Sequence, residues 1–179
     1  MKDKIAVLIA TWFYSGLIPV VLPGGIRGTY GAIYASLLTF PLFYIAIILA
    51  DAGIAFVYWI IALLIFIIGL WSVPRAESAL GPMIDWKGKT KTHDQNQIVI
   101  DEVFGMLISC YPLILFRPES LFWGFMLAFF FFRVFDTIKI PPINIFDDMK
   151  SSAGVMLDDF MAGIYAASMV LLILLTIRI

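Results

Sequence analysis

Apolar residues run along this chain in long blocks, not in the short alternating stretches of a sheet protein. Two windows, Gly31 to Ala50 and Ile54 to Val73, contain no charged residue at all. About 20 apolar residues at 1.5 Å per residue cover the roughly 30 Å hydrocarbon core of a bilayer, so both windows predict membrane helices. Three further blocks predict helices at 98–116, 120–137 and 157–177. The expected fold is therefore an all-α, polytopic membrane bundle of about five helices.

The first apolar stretch, Ile5 to Leu22, does not read as a simple span. Gly16, Pro19, Pro23, Gly24, Gly25, Gly28 and Gly31 interrupt it and its continuation. Irregular backbone at membrane depth survives only where protein or a wet cavity covers it, so this segment is expected to be re-entrant or interfacial. No small-residue cleavage pattern follows it, and the N-terminus is expected to be retained. The longest polar segment, Pro74 to Gln97, carries turn formers at Pro74, Gly81, Pro82 and Gly88 and reads as one loop or short helix. No repeat or linker divides residues 1–179, which predicts a single domain.

Composition supports the membrane reading: 62% of residues are hydrophobic and 14% charged, against about half and a quarter in soluble domains. A net charge of −1 without a basic, aromatic-interleaved patch argues against a nucleic-acid partner and leaves lipid as the partner class. The single cysteine, Cys110, lies in an apolar run and is expected to pack as a small apolar residue. His93 is the only histidine and reads as a solvated loop residue, so a zinc site with nitrogen or sulfur ligands is not expected.

Lysine and arginine in short loops are retained in the cytoplasm. With the N-terminus inside, Lys2, Lys4, Arg27, Arg75, Lys87, Lys89, Lys91, Arg133, Lys139 and Lys150 fall on or near the cytoplasmic side, and only Arg117 and Arg178 fall outside. This topology brings Asp101, Glu102, Asp136, Asp158 and Asp159 to the cytoplasmic ends of three helices.

A carboxylate deep in a membrane helix costs roughly 2.5 to 3.5 kcal/mol, so Asp101 and Glu102 require a wet cavity, a cation or charged partners. A helix N-terminus favours an acid by only about 0.3 to 1 kcal/mol, and for Asp158 and Asp159 that effect is an equal alternative. Gly105 follows Asp101 by four residues and Gly163 follows Asp159 by four, placing a small residue on each acid's own face and permitting close helix approach. Carboxylates brought together repel unless a cation neutralises them, and magnesium suits such hard oxygen ligands. Gly24, Gly25, Gly28 and Gly31, with Arg27 and Thr29 between them, precede a helix in a manner that can offer backbone N–H groups to a phosphate or serve simply as the helix entry. Arg133 and Lys139 flank Asp136 and can complete a phosphate clamp or serve as positive-inside anchors.

These residues resemble a known family. Ala10 to Pro19, Gly28-Thr29-Tyr30-Gly31, Ile98 to Met106, Phe132 to Lys139 with Pro142-Ile143, and Gly154 to Asp159 with Ala162-Gly163 are similar, in order, to blocks of the phosphatidylglycerophosphatase A family. The turn Pro23 to Thr29 is longer than the family's Pro-Gly-Thr turn, and Ile140 stands where a proline is expected.

The resemblance implies a magnesium-dependent phosphatase of the bacterial inner membrane that converts phosphatidylglycerophosphate to phosphatidylglycerol at its cytoplasmic face. It implies Asp101, Glu102, Asp136, Asp158 and Asp159 as site residues. On that basis the acids are expected to hold one or two Mg²⁺ ions, with Glu102 orienting or deprotonating the attacking water beside Asp101 and Asp159. Arg133 and Lys139, with Arg27, Gly28 and Thr29, are expected at the phosphate. The rival readings are a cation transporter, whose acids should lie near the bilayer midplane in two related halves, and another lipid head-group phosphotransferase. A cysteine phosphatase is rejected because Cys110 and Arg117 are separated by six residues and Cys110 lies deep in an apolar helix.

Overall fold

A computed structural model describes residues 2–21, 27–29, 31–84 and 90–177. Along the chain lie α1 (Lys2–Ala10), a short 3₁₀ turn (Ser15–Leu17), the strands β1 (Pro19–Val21) and β2 (Arg27–Thr29), then α2 (Gly31–Leu38), α3 (Phe40–Asp51) and α4 (Val57–Leu80). There follow β3 (Met83–Ile84), β4 (Thr90–Lys91), α5 (Ile100–Leu115), α6 (Leu121–Ile138), α7 (Ile143–Asp147) and α8 (Ser152–Ile177). The strands form only two small antiparallel hairpins, β1 with β2 and β3 with β4. The molecule is an all-α membrane bundle, as its hydrophobic blocks predict.

Four stretches are long and apolar enough to cross a bilayer: Gly31–Asp51, Val57–Leu80, Leu121–Ile138 and Ser152–Thr176. They surround α5, of whose 16 residues fourteen are buried, so α5 is the core and the other helices separate it from lipid. Their outward faces carry exposed Ile48, Leu63, Ile67, Trp123, Phe130 and Leu172. So large an apolar surface belongs in a bilayer and not in water.

The first span departs from the unbroken helix expected over 31–50. It breaks at Thr39 into α2 and α3, and Pro41 sits in the first turn of α3. A proline has no N–H for the preceding turn and its ring crowds the carbonyl four residues back, so the helix restarts there. Ser36 and Thr39 donate their hydroxyls to the carbonyls of Ala32 (2.8 Å) and Ala35 (2.9 Å), which keeps both polar groups satisfied inside the span.

α4 runs through Pro74 to Leu80, about two turns beyond its predicted end. Ala76 on this extension and Val73 just before it are fully buried, and Gly81 stops the helix with a positive φ of 72°. Packing of small residues thus continues a helix that polarity alone predicted to stop.

At 1.5 Å per residue α5 is about 24 Å long, shorter than the roughly 30 Å hydrocarbon core, so one of its ends lies inside the membrane. The N-terminal segment covers that end. Ala10 accepts a hydrogen bond from the Val99 amide (2.9 Å), and a Cβ on Gly16 would fall 2.1 Å from the Gln97 carbonyl oxygen. Trp12, Phe13 and Tyr14 all have left-handed backbone (φ 45°, 56° and 65°) and reverse the chain after α1. Asp3 shares a cavity with Pro74, Arg75, Ser78 and Ala79 at the end of α4, while Gly31 packs on Gly16 at the start of α2. Among the described residues, the start of α1 and the turn at Gly16 therefore lie at the same end of the bundle, beside the end of α4 and the starts of α5 and α2, as expected for a re-entrant or interfacial segment.

Candidate active site

Two acidic pairs open the site. α5 begins Ile100-Asp101-Glu102, and Asp101 Oδ1 accepts the Glu102 amide at 3.0 Å; on α8, Asp158 Oδ1 accepts the Asp159 amide at 3.0 Å. Each first acid thereby fixes its neighbour's backbone. All four are at most 8% exposed, a position that water alone does not repay.

Glycine brings the pairs together. A Cβ on Gly105 would stand 2.6 Å from the Asp159 carbonyl oxygen, and one on Gly163 would stand 2.5 Å from the Gly105 carbonyl oxygen. Any larger residue would separate α5 from α8. α6 completes the arrangement from the side: Phe132 packs on Gly105, so Arg133 and Asp136 on the following turn reach the acids. Carboxylate oxygens of Glu102, Asp136 and Asp159 lie within 4.8 Å of one another.

The basic side chains are tied to these acids. Arg133 bridges Glu102 and Asp136, the latter at 2.9 Å, and Glu102 also accepts the Ser36 hydroxyl at 3.4 Å. Lys139 caps α6 with left-handed backbone and binds both Asp147 and, at 2.9 Å, Asp158. Burial opposes the Lys139 ammonium, but Asp158 and Asp147 outweigh it and raise its pKa above the ordinary lysine value. Arg133 and Lys139, two of the three cations expected at a phosphate, are thus held in place by carboxylates before any substrate arrives.

A cavity of about 330 Å³ opens onto this cluster. Among the described residues its wall includes Asp94, Asp101, Glu102, Asp136, Asp158 and Asp159 against the single lysine Lys139. Opposed charges 4 Å apart interact by about 4 kcal/mol at an effective dielectric of 20, so like charges at such distances keep a phosphate out unless a cation intervenes. The residues fit a hard divalent cation. Asp159 Oδ2 is buried without a hydrogen-bond partner among the described residues, and the nearby donors are all oxygen.

All five acids expected from the sequence therefore converge, with Arg133 and Lys139 beside them. Arg27, Gly28 and Thr29 form β2, with Thr29 opposite Pro19 in the hairpin register. The Pro23-Gly24-Gly25 turn, together with Lys87 and Lys89, lies outside the described residues.

Sequence reasoning missed one wall of the cavity, Asp94, Gln95 and Asn96. The signal for it was the polar run His93 to Gln97 directly before an apolar helix that begins with an acidic pair. His93 is not a solvated loop residue. It is half-buried and pairs with Glu77 at 3.0 Å, while the Asp94 amide donates to Glu77 at 2.8 Å, so α4 anchors the segment. Gln95 is 1% exposed and donates its Nε2 to the Gly81 carbonyl at 2.8 Å. Its Oε1 is buried and has no partner among the described residues.

Comparisons with known proteins agree with this arrangement. The family model described as phosphatidylglycerophosphatase A matches residues 8–174. A Haemophilus influenzae protein named phosphatidylglycerophosphatase A is 32% identical, covering 91% of this chain and 85% of its own. An Escherichia coli protein of the same name is 30% identical over 89% of this chain and 78% of its own. A Bacteroides thetaiotaomicron protein, provisionally named a phosphatidylinositol-3-phosphatase, is 30% identical over 89% of this chain and 87% of its own. No solved structure matches the chain at a significant level. Matched along nearly its whole length and carrying the acidic blocks on converging membrane helices, the chain belongs to the phosphatidylglycerophosphatase A family and is a membrane lipid phosphatase.

Proposed function

We propose that this phosphatase hydrolyses the terminal phosphomonoester of phosphatidylglycerophosphate, giving phosphatidylglycerol and phosphate, with Mg²⁺ as cofactor and at the cytoplasmic face of the bacterial inner membrane. The observation that carries the proposal is the approach of Glu102, Asp136 and Asp159 to within 4.8 Å, with Asp159 Oδ2 left without a partner among the described residues. These three side chains would hold the ion. When bound, Mg²⁺ supplies charge neutralisation at the phosphoryl oxygens and acidity at a coordinated water.

The rest of the chemistry belongs to the chain itself. Arg133 spans Glu102 and Asp136, so its remaining donors face the same space as a phosphate held there and can stabilise charge that develops on its oxygens. Lys139 stays charged and acts from the Asp158 side. Glu102 has its Oε2 engaged by both Arg133 and Ser36. Asp101 and Glu102 both line the cavity and each has one carboxylate oxygen bonded, Asp101 Oδ1 to the Glu102 amide and Glu102 Oε2 to Arg133, so each has an oxygen to accept the water's proton, with Glu102 the expected base. Water attacks phosphorus in line, the P–O bond to the head-group glycerol breaks, and the leaving oxygen recovers a proton from the wet cavity.

The basic loops support the cytoplasmic orientation, because the ends of α4, α6 and α8 near the acids carry Arg75, Lys139 and Lys150. A transporter is disfavoured, since the acids sit at one end of their helices. The test is phosphate release by purified protein from phosphatidylglycerophosphate, phosphatidylinositol 3-phosphate and phosphatidic acid in mixed micelles. Preference for phosphatidylglycerophosphate is expected. A higher kcat/KM for either of the others reassigns the substrate.

A further inference from the structure

The Gln95 amide is held in one orientation. Its Nε2 donates to the Gly81 carbonyl at 2.8 Å, and turning the amide over would set oxygen against oxygen. The acceptor Oε1 is thereby directed away from Gly81, buried, and without a partner among the described residues. A buried acceptor left unmade costs about 1 to 3 kcal/mol. Its segment is nevertheless firmly anchored, by Glu77 to His93 and the Asp94 amide and by Lys91 to the Asp94 carbonyl (2.9 Å). A chain that fixes the amide so carefully and leaves its oxygen unmatched in a cavity wall is arranged for a donor that arrives through the cavity.

We infer that Gln95 Oε1 is the acceptor for a hydroxyl of the lipid's polyol head group, a specificity subsite beside the acidic cluster. This inference rests on the proposed reading of the site as a phosphomonoester lipid phosphatase. The cavity divides by chemistry. Asp101, Glu102, Asp136 and Asp159 with Lys139 suit a cation and a phosphate, whereas Gln95 belongs to a neutral stretch of the wall with Asn96 and Thr137 and carries the buried acceptor that suits an O–H. Phosphatidylglycerophosphate carries one free hydroxyl between its two phosphates, an inositol ring carries several, and phosphatidic acid carries none. A site built around a hydroxyl rejects the analogue that lacks it, because the acceptor then remains buried and unpaired.

The experiment compares phosphatidylglycerophosphate with its deoxy analogue, in which hydrogen replaces the central head-group hydroxyl, using the wild-type protein and Gln95→Met. The wild type should favour the hydroxylated lipid in kcat/KM by about 10- to 100-fold. Gln95→Met should bring the two lipids to within about twofold, through loss on the hydroxylated one alone. Equal rates on both lipids by the wild type overturn the inference, and this arm does not depend on the variant folding. A wild-type preference that persists unchanged in Gln95→Met overturns it as well. If the wild type turns over phosphatidylinositol 3-phosphate but not phosphatidylglycerophosphate, and Gln95→Met loses that activity selectively, the subsite stands and the proposed substrate falls.

Discussion

Gly163 lies against Gly105 so closely that a Cβ on Gly163 would stand 2.5 Å from the Gly105 carbonyl oxygen. This contact sets the distance between the two helices that carry Asp101 and Glu102 on one side and Asp158 and Asp159 on the other. Backbone cannot move aside as a flexible side chain can. Gly163→Ala should therefore force α5 and α8 apart, lower stability by about 1 to 3 kcal/mol as overpacking does, and reduce turnover more than the stability loss explains. Thermal unfolding in detergent, read beside phosphate release, checks this. Unchanged activity in Gly163→Ala would mean that the helix spacing does not set the site.

Arg133 and Lys139 make a sharper comparison with a surface lysine. Lys139→Ala should lower kcat/KM by about 2 to 4 kcal/mol if its ammonium meets developing phosphate charge. Lys150, exposed before α8, attracts anionic lipid by at most about 1 kcal/mol, so Lys150→Ala should do little. The raised pKa of Lys139 fixes the sign of its pH dependence. Its ion pairs contribute fully below the ordinary lysine value of about 10.4 and are lost only as pH rises through the higher folded value. The Lys139→Ala deficit should therefore stay constant between pH 7.5 and 9. A deficit that vanishes within that window would contradict the ion pairs with Asp147 and Asp158.

Glu77 acts at a distance from phosphate, through the segment it anchors. Glu77→Ala frees His93 and the Asp94 amide, which should cost about 1 to 3 kcal/mol of stability and loosen the wall containing Gln95. The expected kinetic signature is a weaker preference for the hydroxylated lipid over its deoxy analogue. If only stability changes, the anchor is structural alone.

The helices and the acids were legible in the sequence because both obey local rules. Charge-free windows of about 20 residues have few fates besides a bilayer, and an acid inside such a block demands a reason. What stayed hidden depended on contacts between distant residues. The break at Thr39 was masked by strong apolarity around Pro41, and the persistence of α4 past Pro74 needed the buried faces of Val73 and Ala76. Gln95 reads in sequence as one polar loop residue among several, and only its bond to Gly81 reveals an oriented amide. Asp147 likewise belongs to no block that the sequence singles out, and only the fold sets Lys139 on it.

Orientation has its own test, in a Cys110→Ala background with single cysteines at Glu119, in the loop between α5 and α6, and at Lys150, just before α8. Both positions are exposed. A membrane-impermeant thiol reagent applied to intact cells should label the cysteine at 119 and spare the one at 150. The opposite pattern would put the acidic cavity on the outer face.

The central claim is that Glu102, Asp136 and Asp159 hold a divalent cation on which phosphate release depends. It is tested most directly by measuring turnover of phosphatidylglycerophosphate by the wild type and Asp159→Asn across a Mg²⁺ titration that begins in excess chelator. The account predicts no wild-type turnover in chelator, recovery with added Mg²⁺, and a loss of about 100-fold or more in Asp159→Asn at saturating metal, since one ligand charge is gone while the shape remains. Full wild-type turnover in chelator, or a wild-type rate from folded Asp159→Asn, would contradict it.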